Sequence, residues 1–181
     1  MRDDLIETLR QAQRFGFFGG RPIEEAAEHS RQFVEALGQL APGTRIVDLG
    51  SGGGLPGLVL ADAYPTAAIT LLDRREKRTD FLRRAVRRLG WSHVDVLAAD
   101  VSALITQVED GATPPFDVAT ARGFGPPEFT LRSACRLIGQ DGRIVISEPP
   151  DGDRWSGELL AACRVSRRRY GPVSVFTASA D

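Results

Sequence analysis

A glycine-rich turn between two acidic residues is the part of this sequence best suited to chemistry. Asp48 follows the apolar run 45–47, and Asp73 follows the next apolar run, 68–72. The turn between them begins with Gly50, Ser51, Gly52, Gly53, Gly54, Leu55, Pro56 and Gly57. Glycine lets a backbone pass close under a ligand, and Asp73 is placed to accept hydrogen bonds from ribose hydroxyl groups. This order predicts a pocket for a cofactor that carries a nucleoside.

The glycine spacing alone leaves two cofactor classes to compare. Gly52, Gly54 and Gly57 also fit the dinucleotide pattern G-x-G-x-x-G, but that match begins two residues later than it should after a strand. Asp48, beside the turn, suits a cofactor with a cationic amine and a sulfonium better than one with a pyrophosphate. An acidic residue before the glycines resembles the arrangement in S-adenosylmethionine-dependent methyltransferases, so we favour S-adenosyl-L-methionine over a dinucleotide or an empty turn.

The composition is that of an ordinary globular protein. The chain has 181 residues, 42% hydrophobic and 26% charged, and a formal net charge of −1. We expect one domain over 1–181, with a helical cap at 1–43 and a cofactor-binding core at 44–181. Cys135 and Cys163 lack metal-ligand spacing, and no apolar stretch is long enough to span a bilayer. We therefore expect no metal, no membrane and a cytoplasmic location.

Hydrophobic periodicity predicts a helical N-terminus followed by an α/β core. Apolar residues at helical spacing predict helices over 3–14 and from Pro22 to about Leu40. Short apolar runs then alternate with amphipathic segments, which predicts a parallel sheet covered on both faces. The predicted strands are 45–49, 67–72, 93–98, 116–121 and 142–147, and the predicted helices are 55–63, 75–89, 101–109 and 126–138. A helix at 156–162 and strands at 163–170 and 172–178 predict a closing antiparallel hairpin at a sheet edge.

Three segments, one of which includes the glycine turn, resemble the motifs of a known family. The run 47–57 with its Leu55-Pro56-Gly57 tail, the run 70–83 around Asp73, and the run 116–124 around Arg122 resemble motifs of the small-subunit (16S) rRNA guanine-N7 methyltransferase family, also called the glucose-inhibited division protein B family. The resemblance implies a Rossmann-like class I methyltransferase sheet, mostly parallel, with seven strands and a C-terminal antiparallel hairpin. It also implies S-adenosyl-L-methionine as cofactor and rRNA or the small ribosomal subunit as partner.

The same resemblance extends the list of candidate site residues. The cofactor-binding set is Asp48, Gly50, Ser51, Gly52, Gly54, Leu55, Gly57, Asp73, Arg74, Asp100, Val101 and Arg122. Asp100 and Val101 stand where methyltransferases of this fold contact adenine, although Asp100 is also suited to cap the helix that begins near Ser102. Arg122 follows the fourth strand and is the candidate catalytic residue, orienting the cofactor carboxylate or an RNA phosphate, unless it is a surface arginine paired with a carboxylate.

Guanine N7 carries a free lone pair, so no side chain must remove a proton before methyl transfer. This fits a chain whose only histidines are His93, which we interpret as structural, and His29, for which we favour a surface or helix-packing role over a substrate contact. Two arginine-rich segments, 74–88 and 164–169, are candidates for phosphate contact or simply solvated faces. We interpret Glu148-Pro149-Pro150 and the Asp151 that follows as a rigid bend out of the fifth strand.

Departures from the family pattern keep two other functions open. Members usually end the fifth strand with a lysine and a glycine, whereas this chain reads Ser147-Glu148. One alternative is a methyltransferase of the same fold that acts on another RNA or a small molecule. The other is a non-catalytic, cofactor-binding relative, which the intact acidic and glycine residues disfavour. The sequence does not indicate an oligomeric state.

Overall fold

The structure is a computed structural model that describes residues 2–150 and 153–179. Asp151, which the sequence places in the bend after the fifth strand, lies outside the described residues. Seven helices and seven strands occur in the described part of the chain. In order they are α1 (Asp3–Arg14), α2 (Ile23–Leu37), β1 (Arg45–Leu49), α3 (Gly57–Ala63), β2 (Ala68–Asp73), α4 (Glu76–Leu89), β3 (Val94–Ala98), α5 (Val101–Glu109), β4 (Phe116–Ala121), α6 (Pro127–Cys135), β5 (Ile138–Ser147), α7 (Gly157–Ala162), β6 (Val165–Tyr170) and β7 (Val173–Ala178).

The seven strands form one sheet in the order β3-β2-β1-β4-β5-β7-β6. Strands β1 to β5 are parallel, and β7 pairs antiparallel with both β5 and β6. The predicted Rossmann-like class I methyltransferase sheet with its C-terminal antiparallel hairpin is therefore confirmed. Chain progression reverses between β1 and β4, and in open α/β sheets ligands bind outside the strand ends at such a switch point.

Helices cover both faces of the sheet with separate hydrophobic clusters. One cluster joins α1, α2, α3 and α4 to the sheet and includes the fully buried Leu5, Phe33 and Leu82. The other joins α5, α6 and α7 to the opposite face and includes Leu131 and Phe176. Because α1 and α2 share their core with α3 and α4, the N-terminal helices are packed against the sheet domain and fix the position of the segment that connects them.

The largest differences from the predicted boundaries are at the end of α2 and at the junction of α6 and β5. Helix α2 ends at Leu37 rather than near Leu40, because Gly38 takes a φ of 65° that a helix cannot contain. Helix α6 ends at Cys135, and β5 begins at Ile138, not at Gly142. Ile138 already pairs with Phe116 before the register shifts to Arg143 opposite Val118. The extra residues form an irregularity that local periodicity does not reveal.

Candidate functional site

Two adjoining pockets lie at the carboxyl ends of β1, β2, β3 and β4. The first pocket, about 340 Å³, lies among the loops that follow β2, β3 and β4 and is lined by Asp73, Asp100 and Phe124 among others. The second pocket, about 390 Å³, lies between the glycine turn and the segment that joins α1 to α2. The two pockets share Gly50, Arg78 and Gly123, so together they form one elongated cleft at the switch point of the sheet.

The glycine turn is tied to the end of β2 by hydrogen bonds from its backbone. Ser51 N donates to Leu72 O at 2.9 Å, and Gly52 N donates to Asp73 Oδ2 at 2.9 Å. Gly50 must be glycine for two reasons, since its φ is 68° and a Cβ there would lie 2.7 Å from Cδ2 of Phe124. The turn can therefore line both pockets with bare backbone.

Asp48 lies beneath the turn and lines neither pocket. Its side chain is fully buried, Oδ1 accepts from Thr120 Oγ1 at 2.8 Å, and Oδ2 accepts from Gly57 N at 3.2 Å. Burial raises the pKa of Asp48 to about 6, opposed by hydrogen bonds from Ser51, Thr120 and Gly57 and by the charge of Arg122. These bonds hold the turn to the sheet, and direct contact between Asp48 and a cofactor stays a prediction.

Gly54 and Gly57, like Asp48, shape the turn from outside the pockets. Gly54 has a φ of 107°, and a Cβ there would lie 2.7 Å from Cγ of Leu58. A Cβ on Gly57 would lie 2.7 Å from Oδ2 of Asp48, so the start of α3 can approach β1 only without a side chain. Of the other predicted turn residues, Gly50, Ser51, Gly52 and Leu55 line the second pocket.

Asp73 lines the first pocket with most of its acceptor capacity already used. Oδ2 accepts from Gly52 N and, at 3.4 Å, from Arg78 Nη1, while Oδ1 accepts from Arg75 N at 2.9 Å. A carboxylate offers about four acceptor positions. Asp73 is 4% exposed, so what remains of its capacity can serve only a ligand inside the pocket.

Asp100 and Val101 form the wall of the first pocket at the start of α5, with Arg74 beside them. Oδ1 of Asp100 accepts from Ser102 N at 3.0 Å and from Ser102 Oγ at 2.8 Å, so Asp100 caps α5. These hydrogen bonds lower the pKa of Asp100, helped by the charge of Arg74. Oδ2 has no hydrogen-bond partner among the described residues, which leaves it available to a donor in the pocket.

Arg122 follows β4 and lines the second pocket. It is half-buried, and within residues 2–150 and 153–179 its guanidinium forms no hydrogen bond and no ion pair. Burial lowers the pKa of Arg122, the charge of Asp48 opposes that effect, and the charge of Arg21 adds to it. A half-buried cation without a paired carboxylate is suited to an anionic ligand group.

Several aromatic residues that sequence reasoning did not select line the pockets. Phe124 and Phe129 stack with ring centroids 5.6 Å apart at an interplanar angle of 26° and line the first pocket. Phe17 and Phe18 line the second pocket with Arg21. The sequence signal for the second group is the Phe-rich, Gly-rich run 15–20, whose composition alone indicates only a flexible turn.

The two arginine-rich segments differ in what their side chains contact. In the first segment, Arg74, Arg75, Lys77, Arg84 and Arg87 are exposed and form no side-chain hydrogen bond or ion pair with another described residue. In the second segment, Arg167 is 13% exposed and pairs with Asp153 and Glu148, and Arg168 lies over the ring of Tyr170. Arg169 donates to the carbonyl oxygens of Gly171 and Pro149. The second segment is largely engaged in internal contacts.

Two kinds of feature were sought in the described part of the chain, a helix suited to cross a membrane and a side-chain cluster suited to hold a metal ion. None of the helices there combines the length and the apolar character needed to cross a membrane. Within the same ranges, no group of three or more His, Cys, Asp or Glu side chains is arranged to hold a metal ion. Cys135 and Cys163 are free, half-buried thiols, and the ring of His93 contacts the carbonyl oxygen of Ala61.

Comparison with solved structures supports the same fold. The chain is similar to a mutant of MtNAS in complex with S-adenosylmethionine, with a TM-score of 0.66 and 15% identity over 97% of this chain and 73% of that one. It is also similar to TrmN from Thermus thermophilus, with a TM-score of 0.59 and 23% identity over 82% of this chain and 48% of that one. At these identities the likeness shows the fold alone.

Sequence comparison identifies the family. The chain is similar to two proteins named ribosomal RNA small subunit methyltransferase G. It is 36% identical to the one from Halorhodospira halophila over 86% of this chain and 69% of that relative. It is 35% identical to the one from Chromobacterium violaceum over 65% of this chain and 53% of that relative. The chain spans about half the length of some of these relatives, 47% of the one from Laribacter hongkongensis. The family model described as rRNA small subunit methyltransferase G matches residues 9–149, and the chain belongs to this family.

Proposed function

We propose that this protein is an S-adenosyl-L-methionine-dependent methyltransferase that methylates guanine N7 in small-subunit rRNA. The observation that carries the proposal is the cleft at the β1–β4 switch point, where the glycine turn and Asp73 meet in a member of this family. The relatives' names support the substrate, and because the chain spans only part of their length, their activity is proposed for this chain.

The residues present fit the cofactor. The backbone between Gly50 and Gly52 lies open to the cleft because no side chain can occupy Gly50 without meeting Phe124. Asp73 would accept from a ribose hydroxyl, and the free Oδ2 of Asp100 would accept from the adenine amino group against the apolar Val101. Arg122, in the second pocket, would hold the carboxylate end of the cofactor or a phosphate of the substrate.

The chemistry requires positioning more than proton transfer. The bound cofactor supplies an electrophilic methyl group whose bond to sulfur breaks with the electron pair left on sulfur. Guanine N7 needs no general base, and among the described residues neither histidine nor cysteine lines either pocket. Holding the two reactants in line can contribute roughly 7–11 kcal/mol of the rate acceleration. The rigid turn between β1 and α3 is suited to that task.

An RNA substrate is supported by the exposed cations of the first arginine-rich segment. Arg74 and Arg75 line the first pocket, and Arg84 and Arg87 continue the positive charge along α4. Such side chains bind phosphates without reading sequence, and each neutralised phosphate releases counterions. We therefore expect methyl transfer to small ribosomal subunits to fall steeply as salt is added. The alternative of a small-molecule substrate would give weak salt dependence and turnover without RNA.

The test combines a cofactor measurement with a product map. Asp73→Ala removes an acceptor for ribose and also the anchor of Gly52 N, and should weaken cofactor binding by about 1–3 kcal/mol in calorimetry. The matched control is Asp80→Ala, since Asp80 is an exposed acid on α4 that pairs with Arg83. Methylated nucleotides are mapped in small subunits and naked rRNA incubated with wild type. Cofactor binding without any rRNA product would refute the proposed substrate, and no cofactor binding would refute the proposed activity.

A further inference from the structure

The second pocket contains aromatic and cationic groups beyond those that the cofactor requires. Phe18 lies in the segment between α1 and α2, and its ring rests on the glycine turn, because a Cβ on Gly53 would lie 2.5 Å from Cζ of Phe18. Phe18 is half-buried, and among the described residues it pairs with no other aromatic ring. Its ring therefore borders the pocket without an aromatic partner inside the described part of the protein.

The neighbouring Phe17 explains why Phe18 is held in place. The ring of Phe17 packs edge-on against Phe81 of α4, with centroids 5.6 Å apart at an interplanar angle of 72°. Phe17 is followed by Phe18 and then by Gly19, which also lines the pocket. The segment is thus fixed to α4 by Phe17 and presents the next ring to the cleft, directly beside the turn that would hold the methyl donor.

Two guanidinium groups border the same pocket. Neither Arg21 nor Arg122 has a side-chain hydrogen bond or an ion pair with another described residue. They are close enough to affect each other, since the charge of Arg21 lowers the pKa of Arg122 and both lower the pKa of His29. The cofactor has one carboxylate, which one arginine can bind, so the pair leaves a cation for a second anion.

We propose that the second pocket binds the target nucleotide, with its purine base stacked on Phe18 and its phosphate bound by Arg21. This inference rests on the proposed function and names the substrate subsite of the same cleft. A nucleotide is the ligand class that presents a flat base and an anion together, and RNA-binding proteins stack unpaired bases on aromatic side chains. A target base inside a helix must leave the stack to reach such a pocket.

The experiment compares Phe18→Leu and Arg21→Gln with wild type in methyl transfer to small ribosomal subunits. Leucine keeps an apolar side chain against Gly53 but removes the flat ring, so KM for the subunit should rise about 5- to 100-fold. Arg21→Gln should raise KM and reduce its dependence on salt. Calorimetric affinity for S-adenosylhomocysteine should not change in either variant, and Phe18→Tyr should restore KM because it restores a ring.

Matched controls come from the same region. Phe15→Leu alters a phenylalanine of the same run that is 54% exposed and lines neither pocket of the cleft, but whose ring contacts Phe17 and Phe81, so it shows whether a change to that aromatic contact alone affects KM. Arg14→Gln alters an exposed arginine that pairs with Glu7. Both should keep wild-type KM. If Phe18→Leu loses affinity for S-adenosylhomocysteine, or keeps wild-type KM, the nucleotide subsite is wrong even though the wild type methylates rRNA.

A direct binding measurement decides the inference separately from the proposed function. Guanosine 5′-monophosphate is titrated into protein saturated with S-adenosylhomocysteine and followed by the NMR signals of the phenylalanine rings. Binding that is weakened in both Phe18→Leu and Arg21→Gln supports the subsite, even if wild type fails to methylate small subunits. Binding that is absent from wild type, or equal in all variants, overturns it.

Discussion

Two buried carboxylates at the carboxyl ends of strands in the sheet accept hydrogen bonds from different kinds of donor. Asp48 lies near the end of β1 and Glu148 directly after β5, and they are 0% and 6% exposed. Asp48 accepts from the hydroxyl of Thr120 and the amide of Gly57, which are both neutral donors. Glu148 accepts from the indole of Trp155 at 2.5 Å and from the hydroxyl of Ser174. It also accepts from Arg154 at 3.1 Å and forms an ion pair with Arg167 at 3.8 Å.

The difference separates a carboxylate that organises the cleft from one that organises the fold. The two arginines and the indole join Glu148 to the segment before α7 and to the hairpin of β6 and β7, and Glu148 lines neither pocket of the cleft. Asp48 joins the glycine turn to β1 and β4, and burial raises its pKa to about 6 despite the hydrogen bonds and the charge of Arg122, which lower it. A buried carboxylate with a raised pKa is poised to respond to pH, and a carboxylate shared by two arginines ties separate segments of the fold together.

The largest expected effect is on stability when the charge of Glu148 is removed. Glu148→Gln removes the buried counter-charge that Arg154 shares with the 13%-exposed Arg167 and leaves Arg167 only its pair with the exposed Asp153, so the free energy of unfolding should fall by about 3–5 kcal/mol. Urea unfolding measures the change, and affinity for S-adenosylhomocysteine in the folded variant should stay near wild type. Glu128→Gln, which breaks an exposed pair with Arg132, is the control. A loss no larger than that of the control would contradict the structural role of Glu148.

The next effect tests the pH response of Asp48. Its pKa in the folded protein is about 6 and the ordinary value is 3.8, so the folded state binds this proton more tightly than the unfolded state. The contribution of Asp48 protonation to the free energy of unfolding is therefore fully present below pH 4. It is lost as pH rises through 6, a change of about 3 kcal/mol. Asp48→Asn does not titrate there, so the difference in unfolding free energy between wild type and variant should shift by about this amount from pH 4 to pH 7. Parallel pH profiles of the two proteins would refute the raised pKa.

The sequence predicted that Asp48 and Asp73 flank one glycine turn, because that placement depends on short spacings. A strand, a glycine turn and a second strand place those acids at one sheet edge by local pattern and βαβ topology. The environment of Glu148 was not predicted, because its donors come from a later loop and from β6 and β7. The burial of Arg167 was not predicted either. Side chains alternate along β6, which turns Arg167 inward while Arg168 stays exposed.

Phe18 was missed for a similar reason. Its ring fills the space beside Gly53, a contact between residues far apart in the chain that depends on how α1 packs against α4. The fold class follows from periodicity and the glycine turn from a local motif, whereas the position of Phe18 in the second pocket follows only from tertiary packing. The three phenylalanines in the run 15–20 were the local signal, but composition alone did not say which of them lines the cleft.

The smallest effect compares one hydroxyl donor at each carboxylate. Thr120→Val removes one of the neutral donors to Asp48 and should cost about 1.5–3 kcal/mol of unfolding free energy at pH 7. Ser174→Ala removes one donor from Glu148, but Trp155 and the arginines remain, so the cost should be about 1 kcal/mol. The loss of unfolding free energy caused by Thr120→Val should be smaller below pH 6, because Asp48 is then protonated in the folded state and its hydrogen bond is no longer to a charged group. Urea unfolding of both variants at pH 5 and pH 7 measures this. Equal costs at both carboxylates, with no change between the two pH values, would mean that the type of donor does not distinguish them.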